Sequence, residues 1–140
     1  VDHSKAFHLF CEVSDEGYAE ATAKLGYCYF NGSGVEIDKA KAVYYGQMAC
    51  KRGSPMGMNL MGFCYECGSG VGADLRMAKC LYECSEEAGQ PEAANNLVKF
   101  YTGELLDCED FDEACRLRRR FAELKESNCV GSFDVAIRYS

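Results

Sequence analysis

The sequence predicts an all-α fold, an α/α superhelical solenoid of helix-turn-helix repeats with a 36-residue period. Three observations predict it. First, the chain matches itself in register at that spacing. Asp2, Asp38, Asp74 and Asp110 share one column, and Ala6, Ala42, Ala78 and Ala114 another. Leu25, Met61, Leu97 and Phe133 form a third, and Tyr29, Tyr65, Tyr101 and Ile137 a fourth. Second, glycine punctuates the same lattice, at Gly17, Gly53 and Gly89 and in the paired turns Gly32-Ser33-Gly34-Val35 and Gly68-Ser69-Gly70-Val71. Third, the composition is 48% hydrophobic with only two prolines, which permits long amphipathic helices.

Each column has a local cause. Asp stands just before an apolar-periodic run, where its carboxylate can accept from free backbone N–H groups and start a helix. Ala in the first turns allows close helix approach. Gly17, Gly53 and Gly89 end that helix, where a left-handed residue is wanted. Ala21, Leu25 and Tyr29 then step by four along one face of a second helix. The Gly-Ser-Gly-Val turns close the unit. First helices are expected near 3–16, 39–52, 75–88 and 111–125, and second helices near 19–31, 55–67, 91–103 and 128–138. The chain, residues 1–140, reads as a single repeat domain of units 2–37, 38–73 and 74–109 with a degenerate capping unit at 110–140.

Charge excludes some partners. Fifteen basic against 22 acidic residues leave a net charge of −7. Nucleic acid and anionic membranes call for clustered Lys and Arg, so neither is expected as the main partner. Residues 110–140 hold 6 basic and 6 acidic side chains, which places the whole deficit in residues 1–109. No apolar run reaches the roughly 20 residues of a membrane span. The chain begins with Val rather than Met, which suits a fragment of a longer adaptor or a docked subunit of a larger assembly.

The pattern Asp-x-x-Lys-Ala, then Gly, then Ala-x-x-x-Leu-Gly-x-x-Tyr-x-x-Gly-x-Gly-Val resembles the Sel1-like repeat, a relative of the tetratricopeptide repeats. Asp38, Lys41, Ala42, Tyr45, Ala49 and Gly53 carry the first-helix resemblance. Leu25, Gly26 and Tyr29, and again Met61, Gly62 and Tyr65, carry that of the second helix. The third unit departs, with Met77 for Lys, Val98 for Gly, and Glu104-Leu105-Leu106-Asp107 in place of the glycine turn. The fourth is degenerate, with Lys125 for Gly and Ile137 for Tyr.

The resemblance implies a protein-interaction scaffold or adaptor whose second helices line a concave groove. Groove positions carried over from the tetratricopeptide pattern are Ala23, Tyr27 and Phe30; Asn59, Phe63 and Glu66; Asn95, Lys99 and Thr102. Tyr27 and Phe63 are large aromatics off the core column, Asn59 and Asn95 offer amides to a peptide backbone, and Lys99 suits a carboxylate. The expected occupant is an extended or helical segment of another protein. The competing reading has Tyr27 and Phe63 packing between repeats. A second candidate docking surface is the basic run Arg116, Arg118, Arg119 and Arg120, set against a solvated helix face.

Ten cysteines raise two alternatives. Cys64, Cys67, Cys80 and Cys84 have spacings like those of a zinc or thiol-redox site across a helical turn. The repeat lattice argues for independent thiols, with Cys28, Cys64 and Cys129 in core columns and Cys11, Cys80 and Cys84 in polar ones. The second alternative comes from the resemblance. A secreted, disulfide-rich, β-lactam-binding branch of the family bridges the interhelical turn in each repeat. Here those positions hold Ser14 with Thr22, Cys50 with Met58, and Glu86 with Ala94, so the branch is disfavoured. Unpaired surface thiols favour a reducing compartment. His3 and His8 are five apart and do not share a helix face, and no Lys follows the Gly-Ser-Gly turns in phosphate-loop spacing. No nucleophile–base arrangement is visible, so neither catalysis nor a cofactor is expected.

Overall fold

The computed structural model describes residues 2–102 and 110–139, with the backbone alone for residue 111 and residues 127–139. The described residues form α1 (His3–Asp15), α2 (Ala19–Asn31), α3 (Lys39–Lys51), α4 (Pro55–Cys67), α5 (Leu75–Glu87), α6 (Pro91–Tyr101) and α7 (Phe111–Tyr139). The helices pair as α1–α2, α3–α4 and α5–α6, and each pair stacks on the next, making the all-α solenoid that the lattice predicts.

Capping repeats with the sequence. The carboxylates of Asp2, Asp38, Asp74 and Asp110 accept from the backbone N–H groups of Lys5, Lys41, Met77 and Glu113 at 3.0–3.1 Å. A cap of this kind stabilises a helix start by about 1 kcal/mol. Asp38, Asp74 and Asp110 also donate their own N–H to the carbonyls of Tyr29, Tyr65 and Tyr101, at 2.9, 3.0 and 2.9 Å. Each unit is thus tied to the one before it by the same backbone bond. The turn residues 104–107, where the third unit departs from the pattern, lie outside the described residues.

The column of Gly17, Gly53 and Gly89 adopts φ of 99°, 85° and 95° between the paired helices, a region other residues avoid. This explains the one departure from the expected elements. The fourth pair, expected as two helices at 111–125 and 128–138, is the single 29-residue helix α7. Lys125 occupies the glycine column there, and without a residue suited to the left-handed turn the backbone continues as helix. Lys125 instead pairs with Glu92 of α6 at 3.2 Å. The side chains of Cys129, Phe133 and Ile137, assigned above to repeat columns, lie outside the described residues.

Packing between repeats follows the lattice. Ala42, Ala78, Leu25, Met61 and Leu97 are buried, as their columns predict. Tyr29 stacks on Tyr45 of the next pair at 5.6 Å. Between pairs, the tightest glycine contacts fall on α2 and α4. A Cβ on Gly26 would lie 2.6 Å from Leu60 Cδ2, and one on Gly62 would lie 2.5 Å from Tyr82 Cε1. Tyr82 is fully buried and cannot swing aside. We therefore expect Gly62→Ala to lower stability by about 1–3 kcal/mol, because the added methyl overpacks a closed seam. Thermal unfolding followed by circular dichroism should show Tm falling by about 3–10 °C. Gly72→Ala, where no atom lies within 4 Å, should leave Tm unchanged.

Candidate partner-binding groove

Helices α2, α4 and α6 stand side by side, and their shared face, together with His3, Ala6 and Phe10 of α1, lines an open concavity of about 610 Å³. Tyr27, Asn59, Phe63 and Asn95, four of the positions expected to bind a partner, line it. Tyr27 and Phe63 are half-buried and Asn95 is exposed. Phe63 packs edge-on against Tyr82 at 6.0 Å and lies 6.4 Å from Phe30. Tyr27 and Phe63 thus both pack between repeats and line the concavity.

The remaining positions divide by what they touch. Ala23 is fully buried and contributes only to packing. Asn59 is 1% exposed: its Nδ2 donates to the Tyr27 phenol oxygen and its Oδ1 accepts from Asn96 Nδ2, both at 2.9 Å. The amide expected to meet a peptide backbone is thus committed to a ladder that crosses three repeats. Lys99, expected to meet a partner's carboxylate, meets Glu66 instead at 3.4 Å. Glu66 also accepts from the Tyr82 hydroxyl at 3.1 Å. Phe30 is half-buried beneath the Lys39 ammonium, which sits 3.6 Å from its ring centroid. Thr102 is half-buried at the end of α6.

Sequence reasoning missed Asn96, Gln90, Glu92, Met56 and Lys24, which also line the concavity. A strict repeat offset pairs Asn59 with Asn95, whereas the contact runs to the next residue, Asn96. The doublet Asn95-Asn96 was the available signal: one amide faces inward to the ladder and the other outward to the groove.

Burial pushes the Tyr27 phenol up to about 12, the Asn59 hydrogen bond opposing the rise and the charge of Glu92 adding to it. Tyr82 is pushed higher still by burial and by Glu66. Tyrosine in the unfolded chain ionises near pH 10. A phenol raised on folding contributes stability that is fully present below its unfolded value and is lost as pH rises through its folded value. Burial likewise pushes the Cys50 and Cys64 thiols up to about 11, so the urea midpoint should begin to fall above about pH 9 and fall more steeply from about pH 10 to about pH 12. Tyr27→Phe should flatten part of that fall, as read by urea titrations at successive pH values.

The basic run is partly consumed within the fold. Arg120 Nε and Arg116 Nη1 lie 3.3 and 3.7 Å from Oε1 of the buried Glu86, and Arg116 also pairs with Glu113 at 2.7 Å. These contacts staple α7 to α5. Arg118 and Arg119 are exposed.

The cysteines do not converge. Cys64 is fully buried in the core, while Cys67, Cys80 and Cys84 are exposed. No group of three or more His, Cys, Asp or Glu among the described residues is arranged to hold a metal, so the zinc reading of Cys64, Cys67, Cys80 and Cys84 is withdrawn. The eight described cysteines are free thiols. Cys28 and Cys64 are buried as the lattice predicts, Cys80 and Cys84 are exposed as it predicts, and Cys11 is half-buried. Where the disulfide-rich branch would bridge the first turn, the Ser14 and Thr22 hydroxyls share a hydrogen bond of 2.7 Å. Arg52 of the next repeat donates to that Thr22 hydroxyl at 2.6 Å.

A helical-pair array with a shared concave face defines a repeat scaffold. The model of the Sel1 repeat family matches residues 19–54 and 55–90, and the chain belongs to that family. Its matched units begin at the second helix of each pair and keep the 36-residue spacing. A protective antigen of uropathogenic Escherichia coli strains, described as displaying an SLR fold, is similar at 30% identity and a TM-score of 0.71. That match covers 87% of this chain and 26% of the antigen. A Sel1 repeat protein from Oxalobacter formigenes shares the fold at 23% identity and a TM-score of 0.71, over 79% of this chain and 45% of that one. The chain thus spans about a quarter of the first and under half of the second. No curated protein matches it. Sel1 repeats generally serve as protein-interaction scaffolds. Among the described residues no helix is long and apolar enough to cross a membrane.

Proposed function

We propose that this chain is a non-catalytic scaffold that holds an extended or helical segment of a partner protein in the groove of α2, α4 and α6. The carrying observation is the 610 Å³ concavity in which the half-buried rings of Tyr27 and Phe63 stand beside the exposed amide of Asn95. Aromatic faces beside outward amides are what a peptide needs: apolar area for its side chains and hydrogen bonds for its backbone. The committed ladder Tyr27–Asn59–Asn96 supports the reading differently. It fixes the floor before the partner arrives, which reduces the ordering cost of binding. Arg118 and Arg119 are a secondary contact for an acidic stretch of the same partner.

Affinity capture from the native lysate with mass spectrometry tests this. The baits are wild type, the Tyr27→Ala, Phe63→Ala double variant, and Asn95→Arg, which fills the groove from an exposed position. All three must first show equal helicity. A partner held by wild type and depleted by about tenfold or more on both variants is the expected result. Equal capture on all three would move the contact off the groove.

A further inference from the structure

The first pair carries a surface that its successors bury. Leu9 and Tyr18 are 56% and 61% exposed, and with Phe10, Val13 and Ala21 they line a hollow of about 270 Å³ to which the Glu20–Lys24 ion pair also contributes. One period on, the same lattice points are Tyr45, Ser54, Gly46, Ala49 and Gly57. Of these, Ala49 is fully buried, Ser54 is 3% exposed and Tyr45 stacks on Tyr29 of the preceding pair. Two periods on, Phe10 corresponds to Tyr82 and Val13 to Ser85, both fully buried. Tyr82 lies against Gly62, and Ser85 Oγ donates to the Pro55 carbonyl at 2.6 Å, both in the preceding pair. The face that α3–α4 turns toward α2, and that α5–α6 turns toward α4, is therefore the face that α1–α2 leaves open. A capping repeat needs a polar outer face. This one is mostly apolar.

We propose that the Leu9–Tyr18 face is a stacking surface for one more helix pair of the same repeat class, placed in line ahead of α1. The uncovered face continues an interface that the chain already makes twice, which selects this occupant over an unrelated apolar partner. The repeat geometry also specifies the chemistry of the visiting helix. It carries a glycine or alanine over Phe10, as Gly62 lies over Tyr82.

The test adds a copy of residues 38–73 directly before Asp2 in the full chain, which preserves the 36-residue register and sets the copied Gly62 over Phe10. Stacking predicts a single cooperative unfolding transition with Tm raised by about 5 °C or more. Leu9→Asp with Tyr18→Asp should abolish that rise in the extended chain. In the original chain the same pair of substitutions should leave Tm nearly unchanged, because both side chains are largely exposed there. No rise in Tm, or a rise that survives the substitutions, would overturn the proposal. So would self-association of the original chain in sedimentation that the substitutions abolish, since the face would then belong to a second copy.

Discussion

The seat that α2 and α4 each offer to the following pair is the contact on which the array depends. Gly26 leaves room for Leu60, and Gly62 leaves room for the ring of Tyr82. A lone helix pair of this size exposes one apolar face and cannot stand by itself. The glycine lets the next pair approach until that face is covered, and dispersion contacts over the closed seam supply the stability that local propensity does not. The Asp caps and the Asp-to-Tyr backbone bonds set the register in which the seats meet.

The groove is a product of the same stacking. With α2, α4 and α6 held at repeat spacing, the residues between their core stripes form one continuous face. The ladder from Tyr27 through Asn59 to Asn96 then joins three pairs by side-chain bonds. A buried polar chain of this kind is tolerated because its members satisfy one another, and removing one would leave the others unpaired at a cost of about 1–3 kcal/mol. Support for the fold and definition of the site therefore rest on some of the same residues. At the far end, α7 closes the array with Arg116 and Arg120 on the buried Glu86.

The fold was legible where a column has a single physical job. Asp at a cap, Ala in a seam and Gly at a left-handed turn tolerate few substitutes, so six helices and their boundaries could be read to within about two residues. The fourth pair failed where the column itself failed, at Lys125, because its loss removes the instruction to turn without announcing a continuous helix. The site was less legible. The groove face could be assigned from the repeat, but whether a polar side chain there is spent or free depends on neighbours 30 or more residues away. Asn59 and Lys99 look available in sequence and are engaged in the fold, by Tyr27 and Asn96 in one case and by Glu66 in the other. The cysteines show the same limit. Spacing suggested a cluster, and helix phase pointed Cys64 inward and Cys80 and Cys84 outward.

Stability and groove alike arise from pair-on-pair stacking rather than from independent helix pairs. Native-state hydrogen exchange across a urea series tests it most directly. The prediction is that the amides of α2 through α6 merge into one opening reaction with a shared denaturant slope, α4 being protected as strongly as any helix because pairs cover it on both sides. Separate opening free energies and slopes for α1–α2, α3–α4 and α5–α6, with no common unit, would contradict it.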